Sequence, residues 1–78
     1  MLIGAQLRAA RMSLRWSVQD LARSSAVSVS TIKRAEADDG VPSISSRNML
    51  NLKSALEAAG IEFIGSPDDA PGIRIHRR

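Results

Sequence analysis

Apolar residues recur at spacings of three and four over much of the chain, which is the pattern of α-helices packed on one side. Leu7, Ala10 and Leu14 follow it and predict a first helix over residues 4–15. No Ser, Thr, Asp or Asn stands just ahead of this helix, so we expect its start to be frayed. A later helix is predicted to begin at a serine cap, Ser45 or Ser46, and to end before Gly60. Its apolar face comprises Met49, Leu52, Leu56 and Ala59.

Two short helices are predicted between these. Ser17 begins the first of them with a capping box, SVQD, in which Asp20 reaches back to the start of the helix. This helix ends near residues 24–25, and the next begins at the cap Ser28 and runs to about Ala37. Only about four residues, SAVS, join the two, so they must cross steeply and share a core with a third helix. That arrangement is a helix-turn-helix.

The period changes after residue 60. The stretches IEFI and GIRIH alternate apolar and polar residues, and SPDDAP between them consists largely of turn-forming residues. The pattern predicts a β-hairpin over residues 61–76. We therefore expect a mainly α protein with four helices and a C-terminal hairpin. Residues 1–60 would form the helix-turn-helix domain, with the motif itself at 17–37, and residues 61–78 would form a dimerisation element.

Composition argues against several functional classes. The 78 residues include no cysteine and one histidine, so we expect no disulfide and no metal site. The sole histidine, His76, lies in the ragged C-terminal stretch, so the serines have no base to activate them. No glycine-rich phosphate loop is present either, so we expect no enzyme and no cofactor. The chain has neither a signal-peptide pattern nor an apolar run long enough to span a membrane. We therefore expect a cytoplasmic protein.

The charge distribution favours a nucleic-acid partner. The formal net charge is +3, and nine of the eleven basic residues are arginines. Residues 1–34 contain a single acidic residue, Asp20, so this part of the chain is more basic than the total indicates. Arginine offers a planar fork that matches phosphates and guanine edges.

The stretch VSVSTIKRAE, residues 27–36, would place several polar groups on one side of a helix. Ile32 and Ala35 would turn toward the core. The opposite face comprises Val29, Ser30, Lys33 and Arg34. This face could simply be solvated, or it could contact a ligand.

The layout from Leu7 to Phe63 resembles the lambda-repressor-like helix-turn-helix family, also called the Xre or Cro/repressor type. The resemblance is carried by LRAAR (7–11), WSVQDLA (16–22), VSVSTIKRAE (27–36), PSI (42–44) and LKSALEAAGIEF (52–63). The family implies a sequence-specific regulator that binds double-stranded DNA, most often a repressor. Small members often serve phages, plasmids or other mobile elements, so a bacterial or phage setting with association to the nucleoid is implied.

The resemblance also implies roles for individual residues. The third helix would enter the major groove and read bases through Val29, Ser30, Lys33 and Arg34. Phosphate contacts would come from Ser17, Gln19, Ser28, Thr31, Arg47 and Asn48. Arg11 and Glu36 match positions that form an internal ion pair. One departure is Val18, where the family often has a glutamine that binds phosphate.

Alternatives remain open at several of these positions. Arg34 could be solvated, Val29 could pack on its own chain, and Ser30 could meet a base or a phosphate. Arg8, Arg11 and Arg15 recur at helical spacing, and such a run is usually a solvated face.

The predicted hairpin leaves a sheet edge open, which a second copy could satisfy to form a homodimer that reads an inverted repeat. The expected dimerisation residues are Ile61, Phe63, Ile64, Ile73 and Ile75. Arg74, Arg77 and Arg78 would flank the junction. The same apolar residues could instead cover the fourth helix. A further alternative is an antitoxin-like or adaptor module whose protein partner binds the hairpin.

Overall fold

Four helices followed by one antiparallel hairpin make up the structure, a computed structural model that describes residues 2–76. The helices are α1 (Gly4–Ser13), α2 (Val18–Ser25), α3 (Val29–Ala37) and α4 (Ser46–Ala58), and the strands are β1 (Ile61–Ser66) and β2 (Asp69–Ile75). The prediction of a mainly helical chain with a C-terminal hairpin is therefore confirmed. Arg77 and Arg78 of the predicted dimer junction lie outside the described residues.

Helix α1 ends two residues earlier than predicted. Leu14 closes the helix, and Arg15 adopts a left-handed conformation with φ of 58°. The amide of Trp16 donates to the Arg11 carbonyl at 3.1 Å, and the amide of Arg15 donates to the Met12 carbonyl at 3.0 Å. These two bonds are those of a Schellman motif, which normally has glycine at the left-handed position. No glycine marks this end of the helix, and the predicted extension to residue 15 is wrong.

The start of α1 is held by the rest of the chain, so the expectation of a frayed start is wrong. The Gln6 side chain caps the helix from within, because its Oε1 accepts the Ile3 amide at 3.0 Å. The Gly4 amide donates to the Gly40 carbonyl at 2.8 Å. A Cβ at Gly4 would lie 1.8 Å from the Asp38 carbonyl oxygen, so glycine permits this close approach of α1 to the end of α3.

Helices α2 and α3 are joined by the three residues 26–28. The Ser17 hydroxyl accepts the Asp20 amide and the Asp20 carboxylate accepts the Ser17 amide, so the predicted capping box is present. Ala26 ends α2 in the left-handed conformation, with φ of 60°. Ser28 then caps α3 by accepting the Thr31 amide at 3.2 Å. The shared core draws on all four helices, and its largest fully buried side chains are Leu7, Leu21, Ile32, Leu52 and Leu56.

The hairpin has a shorter turn than the sequence indicated. Only Pro67 and Asp68 separate the strands, so most of the predicted loop SPDDAP belongs to them. The pairing is irregular between Ile64 and Ser66, where Gly65 has φ of 76°. Beyond this bulge Phe63 pairs with Ile73, and both pack on the helical core beside the buried Ile61.

Candidate functional site

The candidate site is the outer face of α3, which we define as Val29, Ser30, Lys33 and Arg34. The opposite side of the helix is fixed in the core through Ile32, Ala35 and Glu36, all of them buried. Because these three residues turn inward, the helical period directs the outer face toward solvent. Ser30, Lys33 and Arg34 are exposed and Val29 is half-buried, so Val29 divides its surface between its own chain and solvent.

The two basic side chains of this face are not engaged by acids. Within residues 2–76, neither Lys33 nor Arg34 takes part in a salt bridge or a side-chain hydrogen bond. Of the acids that follow in the sequence, Glu36 and Asp39 are bound by arginines of α1, and Asp38 accepts the Gly40 amide at 2.9 Å. The positive charge of Lys33 and Arg34 is therefore available to an anionic ligand.

The N-terminus of α3 favours an anion. Its first turn contains no acidic residue, and the exposed N–H groups of a helix start carry partial positive charge. Hydroxyl groups cluster there: the Ser28 Oγ lies 2.8 Å from the Thr31 Oγ1 and 3.3 Å from the Ser30 Oγ. Thr31 is half-buried and Ser28 is exposed, so these hydroxyls border the outer face.

The N-terminus of α2 differs, although Ser17 and Gln19 are both exposed there. The Asp20 carboxylate accepts the Ser17 amide at 2.9 Å, and these bonds to Ser17 hold the pKa of Asp20 below its usual range. Arg23 bonds the other carboxylate oxygen at 3.0 Å. A phosphate beside Ser17 would meet an ionised carboxylate, so the N-terminus of α3 is electrostatically the better anion site of the two.

Arg47 and Asn48 lie in the first turn of α4, where Arg47 is exposed and Asn48 half-buried. The main-chain N–H of Asn48 donates to the capping Ser45 hydroxyl at 3.1 Å, so the side chain of Asn48 takes no part in the cap. This helix start also lacks an acid. Helix α4 packs on α1, α2 and β1, so Arg47 and Asn48 belong to a different helix from the outer face of α3.

Two arginines of α1 hold the C-terminal end of α3. The Arg11 Nε and Nη2 donate to the two Glu36 carboxylate oxygens at 2.8 and 2.9 Å, and its Nη1 donates to the Trp16 carbonyl at 2.8 Å. The bond to Glu36 raises the pKa of Arg11 above its usual value. The structure therefore brings together the two residues expected to form an internal ion pair.

Arg8 has a role that the sequence did not indicate. Its Nη2 donates to the Asp39 Oδ1 at 2.6 Å, and its Nη1 donates to the Glu36 carbonyl. Arg8 thus satisfies a carbonyl at the end of α3 and complements the negative end of the helix dipole. The interpretation of Arg8 as part of a solvated face is therefore wrong, whereas Arg11 leaves that face for the expected ion pair with Glu36. The acidic run 36–39 was the available signal.

The second candidate surface is the free edge of the hairpin. The His76 amide donates to the Gly60 carbonyl at 2.8 Å, and antiparallel pairs alternate between bonded and unbonded. The main-chain groups of Ile61, Phe63, Ile73 and Ile75 therefore point away from the opposite strand. Ile61 is only 2% exposed, whereas Ile75 is 56% exposed, so at this end of the hairpin β2 is the more accessible strand.

The burial of the expected dimerisation residues varies. Ile61 is buried by its own chain, so it contributes to the chain's own core, and its place in a dimer interface stays a prediction. Phe63, Ile64 and Ile73 are half-buried and contribute in part to the chain's own packing. Pro71 stands at an outward position of β2 and lacks an N–H, which limits the usable edge to Ile73 and Ile75.

A comparison with models of known protein families found no match, and a comparison with curated proteins found none either. In the described part of the chain, no three acidic or histidine side chains lie close enough to hold a metal ion. None of the helices between residues 2 and 76 has the length and apolar character needed to cross a membrane.

Proposed function

We propose that the protein is a sequence-specific DNA-binding regulator of the lambda-repressor-like type, acting as a dimeric repressor. The observation that carries the proposal is the outer face of α3, where Lys33 and Arg34 are exposed and have no acidic partner among residues 2–76. A helix of this kind, fixed on one side and basic on the other, fits the major groove of a duplex.

Each residue of the outer face would contribute differently to binding. Arg34 would bond a guanine at two acceptors, which discriminates against other bases by roughly 1–3 kcal/mol. Lys33, a point charge on a flexible stem, suits a phosphate. The exposed part of Val29 suits the methyl group of a thymine. Ser28, Ser30 and the N-terminus of α3 would receive a phosphate of the adjoining backbone.

Two copies would pair through the open edge of β2, joining their hairpins in one sheet. The two α3 helices would then enter successive major grooves about 34 Å apart and read an inverted repeat. Binding at a promoter would exclude other proteins from the same DNA. Because Lys and Arg would neutralise phosphates and release their counterions, we expect the affinity for DNA to fall steeply as the salt concentration rises.

A footprint on the DNA upstream of the protein's own coding region tests this proposal. Arg34→Ala should remove protection at particular base pairs, whereas Lys33→Ala should weaken binding evenly across sequences. Lys53→Ala removes the same charge from the middle of α4 and serves as the control. Equal, sequence-independent losses from all three variants would mean that no side chain of α3 reads bases.

A second candidate function is an antitoxin-like or adaptor module with a protein partner. It is favoured by a mainly apolar surface groove beside α4, which is lined by Pro42, Ile44, Met49 and Leu50 together with the polar Ser46 and Lys53. Leu50 is 61% exposed, and Val41 nearby in the sequence is 42% exposed. Co-purification of one defined small protein from the native host, lost with Leu50→Lys but not with Arg34→Ala, would favour this function over the first.

A further inference from the structure

One buried polar side chain joins the hairpin to the helices. Gln6 lies in the first turn of α1 and is 5% exposed. Its Nε2 donates to the Ile64 carbonyl at 3.2 Å and to the Gly72 carbonyl at 2.9 Å. Ile64 and Gly72 are cross-strand partners, so a single amide grips both strands at the same level. With the Ile3 amide bonded to its Oε1, Gln6 uses both of its donors and its acceptor.

No other hydrogen bond connects residues 2–59 to residues 61–76 in the structure. The remaining contacts between these two parts are those of apolar side chains such as Phe63 and Ile73 with the core. Apolar burial is non-directional, so by itself it specifies the orientation of the hairpin less sharply than hydrogen bonds do. Two hydrogen bonds to carbonyls on different strands depend on distance and angle, so they fix how the hairpin is turned.

Helix α1, which carries Gln6, also contacts α3. Gly4 lies directly against the main chain of Ala35 and Asp38, and Arg8 and Arg11 bind the end of α3. Helix α1 therefore stands between the hairpin and α3, with polar or close main-chain contacts to both. A change in the pose of the hairpin on α1 becomes a change in its pose relative to the outer face of α3.

We propose that Gln6 is a positioning residue that fixes the hairpin on α1 and thereby sets the spacing of the two DNA half-sites. The proposal rests on the proposed function, because a spacing exists only if two copies bind one duplex through their hairpins. One added base pair moves a half-site by about 3.4 Å and turns it by about 34° around the helix axis. A dimer whose hairpins are held rigidly should tolerate little of this change.

Two variants separate the contacts of Gln6. In Gln6→Glu the side chain keeps its shape and can still accept the Ile3 amide, but it has no N–H to give to the two carbonyls. Gln6→Met removes every polar contact while keeping the volume and adding no charge. Ser54→Glu adds a carboxylate at an exposed position of α4 and controls for charge repulsion from DNA. Circular dichroism identifies any variant that fails to fold.

The first measurement is affinity for duplexes whose two half-sites are separated by the wild-type spacer, or by one or two base pairs more or fewer. Wild-type protein and Ser54→Glu should prefer one spacer by about tenfold or more, because a mis-spaced duplex must be twisted or bent to fit. Gln6→Glu and Gln6→Met should lose this preference. For a single half-site, the affinity of Gln6→Glu should match that of Ser54→Glu, and the affinity of Gln6→Met should match that of the wild type.

The second measurement needs no DNA. Hydrogen exchange of the β1 and β2 amides should be faster in both Gln6 variants, with the amides of α2 and α3 unchanged. A wild-type spacer preference and wild-type exchange in both variants would overturn the proposal. If wild-type protein binds no duplex, the proposed function and the spacing role fail together, and the exchange result alone then decides whether Gln6 holds the hairpin.

Discussion

The side chains of Arg11 and Glu36 are charged but largely buried, being 16% and 8% exposed. Removing a charge from water costs several kcal/mol, and this cost is offset only when the partner and further hydrogen bonds are well placed. Here the guanidinium meets both carboxylate oxygens and the Trp16 carbonyl. The pair therefore joins α1, the connection between α1 and α2, and α3 at one point.

Replacing Arg11 by Met should lower the free energy of unfolding by about 3–5 kcal/mol, because the Glu36 carboxylate would remain buried without a partner. The double variant Arg11→Met/Glu36→Met should recover most of this loss, since no buried charge remains. Urea denaturation measures all three proteins. Arg23→Ala, which breaks an exposed pair, is the control and should change little. A double variant as unstable as the single one would show that packing, not charge pairing, dominates.

Sequence reasoning reached some of these residues and missed others. The Arg11–Glu36 pair was suggested by family resemblance, and Ser17, Ser28 and Asp20 by local capping chemistry, which acts over three residues. Gln6 gave no signal, because its two acceptors are main-chain carbonyls 58 and 66 residues away, and every residue has such a carbonyl. Side-chain contacts to a distant main chain leave no pattern in residue types.

At the scale of elements, α3 and α4 begin alike, since Ser28 and Ser45 each accept the amide three residues ahead. Replacing either serine by alanine should lower the free energy of unfolding by about 1 kcal/mol. Only Ser28→Ala should also weaken DNA binding, because only that cap borders the outer face of α3. Thermal unfolding and a DNA titration measure the two effects. An equal loss of DNA affinity from Ser45→Ala would reduce the role of Ser28 to stability.

The hairpin carries a charge cluster on its solvent side. Glu62 accepts from His76 at 2.7 Å and from Arg74 at 3.1 Å, and the bond to His76, followed by the charge of Arg74, lowers the pKa of Glu62. A carboxylate whose pKa is lowered by folding stabilises the folded state at pH values above its unfolded-state pKa, which is about 4.3 for Glu. This stabilisation is lost as the pH falls through the folded-state pKa. Glu62→Gln should therefore lessen the acid-induced decline of hairpin stability below about pH 5. Hydrogen exchange of the β1 and β2 amides at pH 4 and pH 7 measures this, and an identical decline in both proteins would contradict it.

Element types were more predictable than element ends. Helical and alternating periods identified four helices and the hairpin, because each period reflects a face buried in the core. The ends depend on local geometry instead. Arg15 takes a left-handed conformation that glycine usually occupies, and Pro71 lies in a strand because its missing N–H would have faced outward. Neither residue type predicts those conformations.

A second copy can use only the surface that the chain's own packing leaves exposed. The side chains of Phe63 and Ile73 pack against the helical core, and Ile61 is buried in that core. Within the hairpin, the outward main chain of Ile73 and Ile75 on β2 is left for a second strand. A second β2 strand could pair there antiparallel, with Ile73 opposite Ile75 of the other copy, and would make four new main-chain hydrogen bonds. Arg74 would face its counterpart across the symmetry axis, and Glu62 beside each one offsets that repulsion.

Ile75→Pro tests this pairing, because it removes an N–H that points away from β1 and should leave the hairpin itself intact. We expect this variant to be monomeric in analytical ultracentrifugation at concentrations where the wild type is dimeric. Ile75→Thr, which keeps the N–H and the branched shape, should remain dimeric. On an inverted-repeat duplex, Ile75→Pro should bind each half-site independently, and the slope of log affinity against log salt should fall to about half because each event neutralises half as many phosphates. A dimeric Ile75→Pro protein would place the interface elsewhere, and the apolar groove at Leu50 would then be the next surface to examine.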